Sequence, residues 1–284
     1  MEHRVLWVHG IGDHKPGYSL PWQENYGRYL MLPSSTNVEV VWESVLEGGS
    51  GATRADPSAP PELALTPEEQ AAELEVRLEL ETILLARQSA AQAAVPPSLT
   101  RSGTDTAVIE WAEMMGEDPA TRGILDWFRK PNEYLGDFSK YLVSRRLRNA
   151  IKEKLKEQLR PFDGQGFRIS IIAHSWGTVV AHDALHDLAT EVPGIRVRSL
   201  VTLGSPLWMV RRLLDERSGK KPANLEQWLN IHARGDVIGS WLQPAFKLDT
   251  EFEVPSIGKN AHASYFNRDN QAVQEKLVAP FVLR

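Results

Sequence analysis

The sequence predicts an α/β fold with a mostly parallel central sheet of about six strands, flanked by helices. Short apolar runs rich in β-branched residues recur along the chain, and segments with helical periodicity separate them. Several of these runs stop at a glycine-containing loop, as strands do at the edge of a sheet. Strands that alternate with helices favour a parallel sheet covered on both faces. With 284 residues, the chain is long enough to form such a domain with a sizeable core.

Composition narrows the class of protein. Hydrophobic residues make up 42% of the chain and charged residues 24%, as in an ordinary soluble globular protein. The net charge of −5 gives no electrostatic reason to expect a nucleic-acid partner. The absence of cysteine excludes disulfides, thiolate metal sites and cysteine nucleophiles. We find neither a signal-peptide pattern nor an apolar run long enough for a transmembrane segment, so a cytoplasmic location is expected.

The first elements follow from short sequence runs. Val5 to Val8 is predicted to be a buried strand, because it is apolar and ends in the glycine-rich loop from His9 to Asp13. A short helix is predicted from Trp22 to Met31. A second strand is predicted from Val38 to Trp42.

Residues 50–130 differ from the rest and are interpreted as a helical insertion. Thr66, Pro67 and Glu69 form a capping-box start for a helix that should run to about Ala94. One face of this helix is expected to be buried, with apolar positions at Leu74, Leu78, Ile83, Leu84 and Leu85. Two further helices are predicted at 106–115 and 120–129. The insertion is a candidate lid or homo-oligomer contact, and the alternative is an extra packed layer.

The second half of the chain continues the alternation. Tyr134 to Arg160 is predicted to be one long amphipathic helix, with Lys152, Lys154 and Lys156 on a solvated outer face. The remaining predicted strands are Val197 to Leu203, one within Asn224 to Ala233, and Phe252 to Val254. The remaining predicted helices are Leu207 to Leu214 and Ala272 to Val282.

Arg168 to Val180 has the pattern of a strand, a sharp turn and a helix. In a nucleophile elbow the tight turn exposes a serine hydroxyl above the sheet, and small residues two positions to either side avoid a clash. Here the serine is Ser175 and the small residues are Ala173 and Gly177. The five-residue pattern alone is common by chance, so the strand-like run before it and the helical pattern after it carry the interpretation.

A serine nucleophile needs a histidine base, and four histidines follow Ser175. His182 and His186 lie four residues apart, as in a metal-binding helix motif, but periodicity puts both on the solvent side of their helix. His232 lies inside a predicted strand, where a packed histidine is expected. His262 lies in a loop after the last strand and is the predicted base.

The base in turn needs a carboxylate that fixes its tautomer. Asp236 is the predicted acid, because it directly follows the penultimate strand. Asp249, thirteen residues before His262, remains the alternative.

An oxyanion hole requires backbone donors near the serine. The predicted donors are the N–H groups of Trp176, directly after Ser175, and of Ile11 in the loop after the first strand. His9 and Gly10 belong to the same predicted oxyanion and substrate-binding loop, where Gly10 would let the backbone approach closely.

These motifs resemble the α/β-hydrolase superfamily, and within it the small bacterial lipases and esterases. The residues that carry the resemblance, in family order, are Val8 to Gly12, Ala173 to Gly177, Gly204 to Pro206, Asp236 and His262. The resemblance covers residues 3–46 and 134–280 of a single domain spanning 1–284, and it says nothing of the insertion at 50–130. Ala173 replaces the first glycine of the usual elbow, and the first two antiparallel strands of the family are missing.

The resemblance implies a serine hydrolase that cleaves small-molecule or lipid esters through an acyl-enzyme. Ser175 would attack, His262 would transfer the proton and Asp236 would orient His262, with no metal or cofactor. An acyltransferase, thioesterase or amidase with the same triad is the alternative, and a catalytically silent binding protein is the non-enzymatic one. An apolar acyl pocket could involve Trp176, Trp208, Met209 and Trp241, unless these large side chains belong to the core.

Overall fold

A six-stranded, entirely parallel sheet forms the centre of the molecule. The computed structural model describes residues 2–10, 14–42, 44–46, 63–93, 131–214, 219–258 and 260–284. The strands lie in the order β2-β1-β3-β4-β5-β6. They are β1 (His3–Val8), β2 (Asn37–Val40), β3 (Arg168–His174), β4 (Val197–Leu203), β5 (Leu225–Ala233) and β6 (Thr250–Val254). The predicted α/β class and strand number are confirmed.

Strand order reverses beside β1. The chain leaves β1 for the edge strand β2, then returns to the other side of β1 as β3. In an open parallel sheet, such a reversal opens a crevice at the carboxyl ends of the two strands that flank it. Here those ends are followed by His9 and by Ser175.

Helices cover both faces of the sheet. The α-helices are α1 (Leu20–Leu30), α2 (Pro67–Ala93), α3 (Pro131–Val143), α4 (Arg145–Leu159), α5 (Trp176–Glu191), α6 (Leu207–Val210), α7 (Gln271–Val273) and α8 (Ala279–Leu283), with a π-helical turn (Gln274–Val278) joining the last two. Because side chains alternate along a strand, Leu6 and Val8 enter the core under α2 to α6. Val5 and Trp7 enter the opposite core, under α1 and the C-terminal helix. No helix of the described chain is long and apolar enough to cross a membrane.

The start of α2 matches the prediction, and its buried face matches only in part. The Thr66 amide donates to the Glu69 carboxylate (2.9 Å) and the Glu69 amide donates to the Thr66 hydroxyl (3.2 Å), forming the capping box. Of the predicted positions, Leu84 lies in the core and Ile83 is half-buried, whereas Leu74, Leu78 and Leu85 are exposed. Leu80, which was not predicted, also lies in the core. Leucines occupy several stripes of this long helix, so apolarity alone did not select the stripe that packs against α3. The helices predicted at 106–115 and 120–129 lie outside the described residues.

The predicted single helix from Tyr134 to Arg160 is wrong, because two helices occupy this stretch. α3 and α4 are divided at Ser144, whose backbone is extended (φ −89°, ψ 108°). Its hydroxyl accepts a hydrogen bond from the Leu147 amide, so Ser144 is the N-cap of α4. Serine hydroxyls compete for backbone donors in this way, and therefore favour caps over helix interiors.

Two of the three lysines predicted to be solvated are buried. The side chain of Lys152 is 3% exposed and its ammonium lies 2.7 Å from the Asp187 carboxylate. Lys156 is similarly buried and donates to Glu191 (2.9 Å). Lys154 alone keeps substantial exposure. The prediction fails because α4 packs against α5, whose carboxylates compensate the buried charges.

Candidate active site

Ser175 occupies a strained turn between β3 and α5. Its backbone has φ 54° and ψ −132°, a conformation that residues other than glycine rarely adopt. The Ser175 amide donates to the Leu203 carbonyl (3.0 Å), and the Ser175 carbonyl accepts from the amide (3.0 Å) and the hydroxyl (2.7 Å) of Thr178. The strand, turn and helix predicted at 168–180 are therefore present, and neighbouring hydrogen bonds hold the turn.

The loop after β1 lies directly against Ser175. A Cβ atom placed on Gly10 would lie 2.5 Å from the Ser175 Cβ atom and 3.1 Å from its hydroxyl oxygen. A Cβ atom on Gly177 would overlap the carbonyl oxygen of His9. Only glycine permits these approaches, so both small residues serve the packing of β1 against the turn.

His262 contacts the carboxylate of Asp236. The His262 Nδ1 atom lies 2.9 Å from each carboxylate oxygen of Asp236. Asp249, the alternative acid, instead accepts from the Trp228 amide (2.7 Å) and from the Lys221 ammonium (2.9 Å). The structure thus brings Asp236, and not Asp249, to His262.

Donors saturate the Asp236 carboxylate and keep it ionised. Its Oδ1 atom accepts from the amides of Ile238 (2.8 Å) and Gly239 (2.9 Å), and its Oδ2 atom accepts from the Tyr265 hydroxyl (2.6 Å). Burial alone would raise the pKa of Asp236, but the His262 charge and these hydrogen bonds outweigh it and lower the pKa below its usual range. An ionised carboxylate can only accept, so the proton of neutral His262 lies on Nδ1 and leaves Nε2 free to act as a base.

His174 ties the backbone of His262 to the residue next to Ser175. The His174 Nε2 atom donates to the His262 carbonyl (2.8 Å), and the two ring centroids lie 4.6 Å apart. Burial, with the neighbouring charge of His262, lowers the pKa of His174 well below its usual range, so this ring stays neutral. Sequence reasoning assigned no role to His174, although its place before the serine was visible.

Gly204, at the end of β4, makes room for the His262–Asp236 pair. It has φ +59°, and a Cβ atom there would lie 2.8 Å from His262 Nδ1 and 2.9 Å from Asp236 Oδ2. The neighbouring Ser205 hydroxyl shares a hydrogen bond with the Thr178 hydroxyl (2.7 Å). This glycine-serine stretch is one of the motifs that carry the family resemblance, and Gly204 packs against the candidate site.

The predicted oxyanion donors are only partly described. Trp176 is the first residue of α5, where a backbone N–H has no acceptor within its own helix. Ile11 lies outside the described residues. His9 is buried and stacks on Trp42 with ring centroids 3.8 Å apart, and its Nδ1 atom donates to the Gly10 carbonyl (2.8 Å). Burial lowers the pKa of His9 to about 3, so it is neutral at pH 7.

The large side chains proposed for an acyl pocket have different surroundings. Trp176 is buried in an aromatic cluster with Trp42, Phe138 and Tyr141. It therefore belongs to the core.

Trp208 lies against the turn that carries Asp236. Its indole N–H donates to the Ile238 carbonyl (2.6 Å), and Arg87 of α2 stacks on its ring at 4.6 Å. Met209 is half-buried and packs at the margin of the core, whereas Trp241 is 51% exposed beside His232. An acyl pocket formed by these side chains stays a prediction.

Periodicity predicted His182 on the surface of its helix, and the structure shows that this prediction is wrong. It is fully buried, packs against Trp228 and Phe246, and donates to the Lys220 carbonyl (3.1 Å). His186 is half-buried and contacts the same carbonyl (3.3 Å). The prediction fails because α5 is buried almost all round, so its polar side is covered as well. Within the described ranges, no three histidine or acidic side chains are grouped as metal ligands.

His232 and Glu253 form a further contact, on adjacent strands. His232 is buried in β5, as expected for a packed strand histidine, and its Nε2 atom lies 3.5 Å from the Glu253 carboxylate. The contacts that the structure gives His232 are with Glu253 and Trp241, so His262 remains the candidate base.

Comparisons with known proteins add little to this geometry. No family model matches the chain, and no curated protein matches it. One similar solved structure is that of an uncharacterized protein from Pseudomonas aeruginosa, with 11% sequence identity and a TM-score of 0.33. The alignment covers 99% of this chain and 45% of that one, so the chain spans less than half the length of that protein.

Proposed function

We propose that the chain is a serine hydrolase that cleaves carboxylic esters, with Ser175 as nucleophile, His262 as base and Asp236 as the acid that orients the base. The observation that carries the proposal is the joint occurrence of a strained turn at Ser175 and an Asp236-bound His262 tethered through His174. Strain of this kind persists where surrounding structure over-determines it, and it concentrates at catalytic positions.

The reaction would proceed in two displacements. The Ser175 hydroxyl oxygen attacks the ester carbonyl carbon while His262 Nε2 takes the hydroxyl proton. Backbone N–H groups of Trp176 and Ile11 stabilise the oxyanion. As the tetrahedral intermediate collapses, the imidazolium returns the proton to the leaving alkoxide and an acyl-serine remains. Water, deprotonated by His262, then releases the carboxylic acid and regenerates Ser175.

Covalent labelling tests the nucleophile directly. A fluorophosphonate probe should label the folded wild-type protein at Ser175, located by peptide mass spectrometry. Ser175→Ala should lose the label and lower turnover of p-nitrophenyl esters by about 10⁶. Correctly folded wild-type protein that takes no label would refute the proposal.

A pair of aspartate variants tests the acid. Asp236→Asn should lower kcat by about 10⁴, because the amide cannot hold His262 in the required tautomer. Asp249→Asn should retain near-normal kcat, since Asp249 binds Lys221 and the Trp228 amide instead. The reverse result would assign the acid to Asp249.

The substrate class has to be determined with a panel of substrates, because the fold does not specify it. We propose small-molecule or lipid esters, and a series of p-nitrophenyl esters with increasing acyl length separates the two. Thioester, amide and phospholipid substrates in the same assay test the alternative activities of the same triad. A lid function for the insertion predicts that deletions within 50–130 change acyl-length preference.

A further inference from the structure

We infer that Tyr265 is a positioning residue of the candidate catalytic site, which fixes the Asp236 carboxylate and through it the orientation of His262. The inference rests on the proposed function. Its starting observation is the 2.6 Å hydrogen bond between the Tyr265 hydroxyl and Asp236 Oδ2, on the same carboxylate that holds His262 Nδ1.

The direction of this hydrogen bond is determined by a second one. The Ala233 amide lies 2.7 Å from the Tyr265 oxygen, and a backbone N–H can only donate. The phenolic oxygen therefore accepts from Ala233. Its single proton is directed to Asp236, and burial together with the Asp236 charge raises the pKa of Tyr265 well above its usual range. Tyr265 thus acts as a permanent donor to the carboxylate.

Tyr265 is itself held rigidly. It is fully buried in the 3-10 helix Ser264–Phe266, three residues after His262. The Tyr26 hydroxyl of α1 and the Gln274 side-chain amide both donate to its carbonyl, at 2.9 and 3.4 Å. His262 and Tyr265 therefore belong to one short segment, so a displacement of Tyr265 should also move His262.

Every donor to Asp236 has a distinct position. The Ile238 and Gly239 amides occupy Oδ1, whereas Tyr265 approaches Oδ2. Without the tyrosine hydroxyl, the one hydrogen bond that Oδ2 keeps within the described part of the chain is that with His262. The carboxylate then gains freedom to rotate, and its less stabilised charge attracts the imidazolium form of His262 more strongly.

Other ionisable groups face the pair and set the background for a pH measurement. Arg87 of α2 acts on the charge of both Asp236 and Tyr265, and Asp236 in turn acts on His232 of β5. His174 of β3 packs against the His262 ring. Tyr265→Phe keeps all of these side chains and removes only the hydroxyl, so a shift in the pH profile together with a shift of the His262 Nδ1 resonance reports on the Tyr265 hydrogen bond.

The test compares two Tyr→Phe variants in the full chain. Tyr265→Phe should lower kcat for a p-nitrophenyl ester about tenfold with little change in KM, and should move the acid limb of kcat/KM to higher pH. The His262 Nδ1 proton resonance in NMR spectra should move as well. Tyr141→Phe is the matched control, because it also removes a buried hydroxyl that donates to an aspartate, Asp183 (3.0 Å), and should leave all three readouts unchanged.

A second replacement keeps the test decisive if Tyr265→Phe folds poorly. Incorporation of 3-fluorotyrosine at position 265 preserves the ring and makes the hydroxyl a stronger donor. The acid limb should then move to lower pH, opposite to the phenylalanine variant, while 3-fluorotyrosine at position 141 should have no effect. Identical pH profiles and Nδ1 resonances at both positions would overturn the inference.

Failure of the proposed function would be visible separately. If wild-type protein neither takes the fluorophosphonate label nor turns over esters, the hydrolase proposal fails. The Nδ1 proton resonance needs no turnover, so the effect of Tyr265 on the His262–Asp236 pair is measured either way. An active wild type whose pH profile is insensitive to Tyr265 overturns the inference alone.

Discussion

At the scale of single residues, the candidate site requires glycine, which has no side chain, at two positions. Gly10 and Gly204 have backbones in contact with the side chains of Ser175, His262 and Asp236. Each position leaves no room for a methyl group. The backbone at these two glycines therefore packs directly against the side chains of the candidate site.

Gly10→Ala should inactivate the protein without unfolding it. The added Cβ atom would lie 2.5 Å from the Ser175 Cβ atom, so either the loop or the serine must shift. Ester turnover and fluorophosphonate labelling should both fall by at least about 100-fold, because small displacements of a nucleophile are costly. Gly27→Ala in α1 is the control, since its Cβ atom meets nothing within 4 Å and alanine favours helices. Normal labelling of Gly10→Ala would contradict the packing argument.

Buried neutral histidines make a pH dependence of stability. Burial lowers the pKa of His9 to about 3 and, with the charge of Arg168, that of His3 to about 4. Unfolded histidines bind protons below a pKa of about 6.5, whereas these folded ones stay neutral, so each lowers the free energy of unfolding by up to about 1.4 kcal/mol per pH unit below that value. Urea titrations should show stability falling as the pH drops from about 6.5 to about 4, because this is the window between the unfolded pKa and the folded pKa of His3. His3→Gln should reduce the slope, and a flat profile would contradict the prediction.

At the scale of elements, the pairing of α4 with α5 depends on charges inside an otherwise apolar contact. Lys152 and Asp187 are both largely buried, at 3% and 13% side-chain exposure. Removal of one partner leaves an uncompensated charge, which costs more than removal of the pair.

Asp187→Ala should therefore destabilise the fold more than Lys152→Met. We expect a loss of about 3 kcal/mol for Asp187→Ala, because the Lys152 ammonium keeps its burial and loses its ion pair. Lys152→Met should cost less, since methionine fills the same space without a charge and the Asp187 carboxylate still has the Lys156 ammonium at 4.0 Å. Lys154→Met on the same helix is the solvent-facing control. Equal unfolding free energies for Asp187→Ala and Lys154→Met would refute the argument.

These elements show which features of the chain could be predicted from sequence. Strand positions could be predicted because β-branched runs end at glycine loops. β4 has the predicted limits, whereas β1 and β6 each begin two residues before the predicted start. The buried faces of helices were harder to predict from sequence. The stripe of α2 that packs and the burial of Lys152 both depend on neighbours that are distant in sequence. Ser175, Asp236 and His262 were proposed from their order along the chain. Tyr265 and His174 were not, because their roles exist only when the loop after β6 folds back onto β3.

At the scale of the whole molecule, Arg87 connects α2, the described part of the inserted segment, to the candidate site. Arg87 of α2 donates to the Gly239 carbonyl (2.8 Å), and its guanidinium stacks on Trp208. Gly239 in turn donates its amide to Asp236. α2 thus contacts the turn that carries Asp236.

Arg87→Ala should lower activity from outside the triad. Loss of the guanidinium frees the Gly239 peptide and exposes Trp208, so the Asp236 turn becomes more mobile and kcat should fall several-fold. Arg87→Lys should restore little of the lost kcat. A planar guanidinium can stack on the Trp208 ring while it donates to the Gly239 carbonyl, whereas a lysine ammonium has no planar group to stack. Arg77→Ala is the control on the same helix, as Arg77 pairs only loosely with Glu73 (3.7 Å). Measurement of kcat and labelling rate for the three variants decides the matter: if Arg87→Ala matches Arg77→Ala, α2 packs beside the site without supporting it.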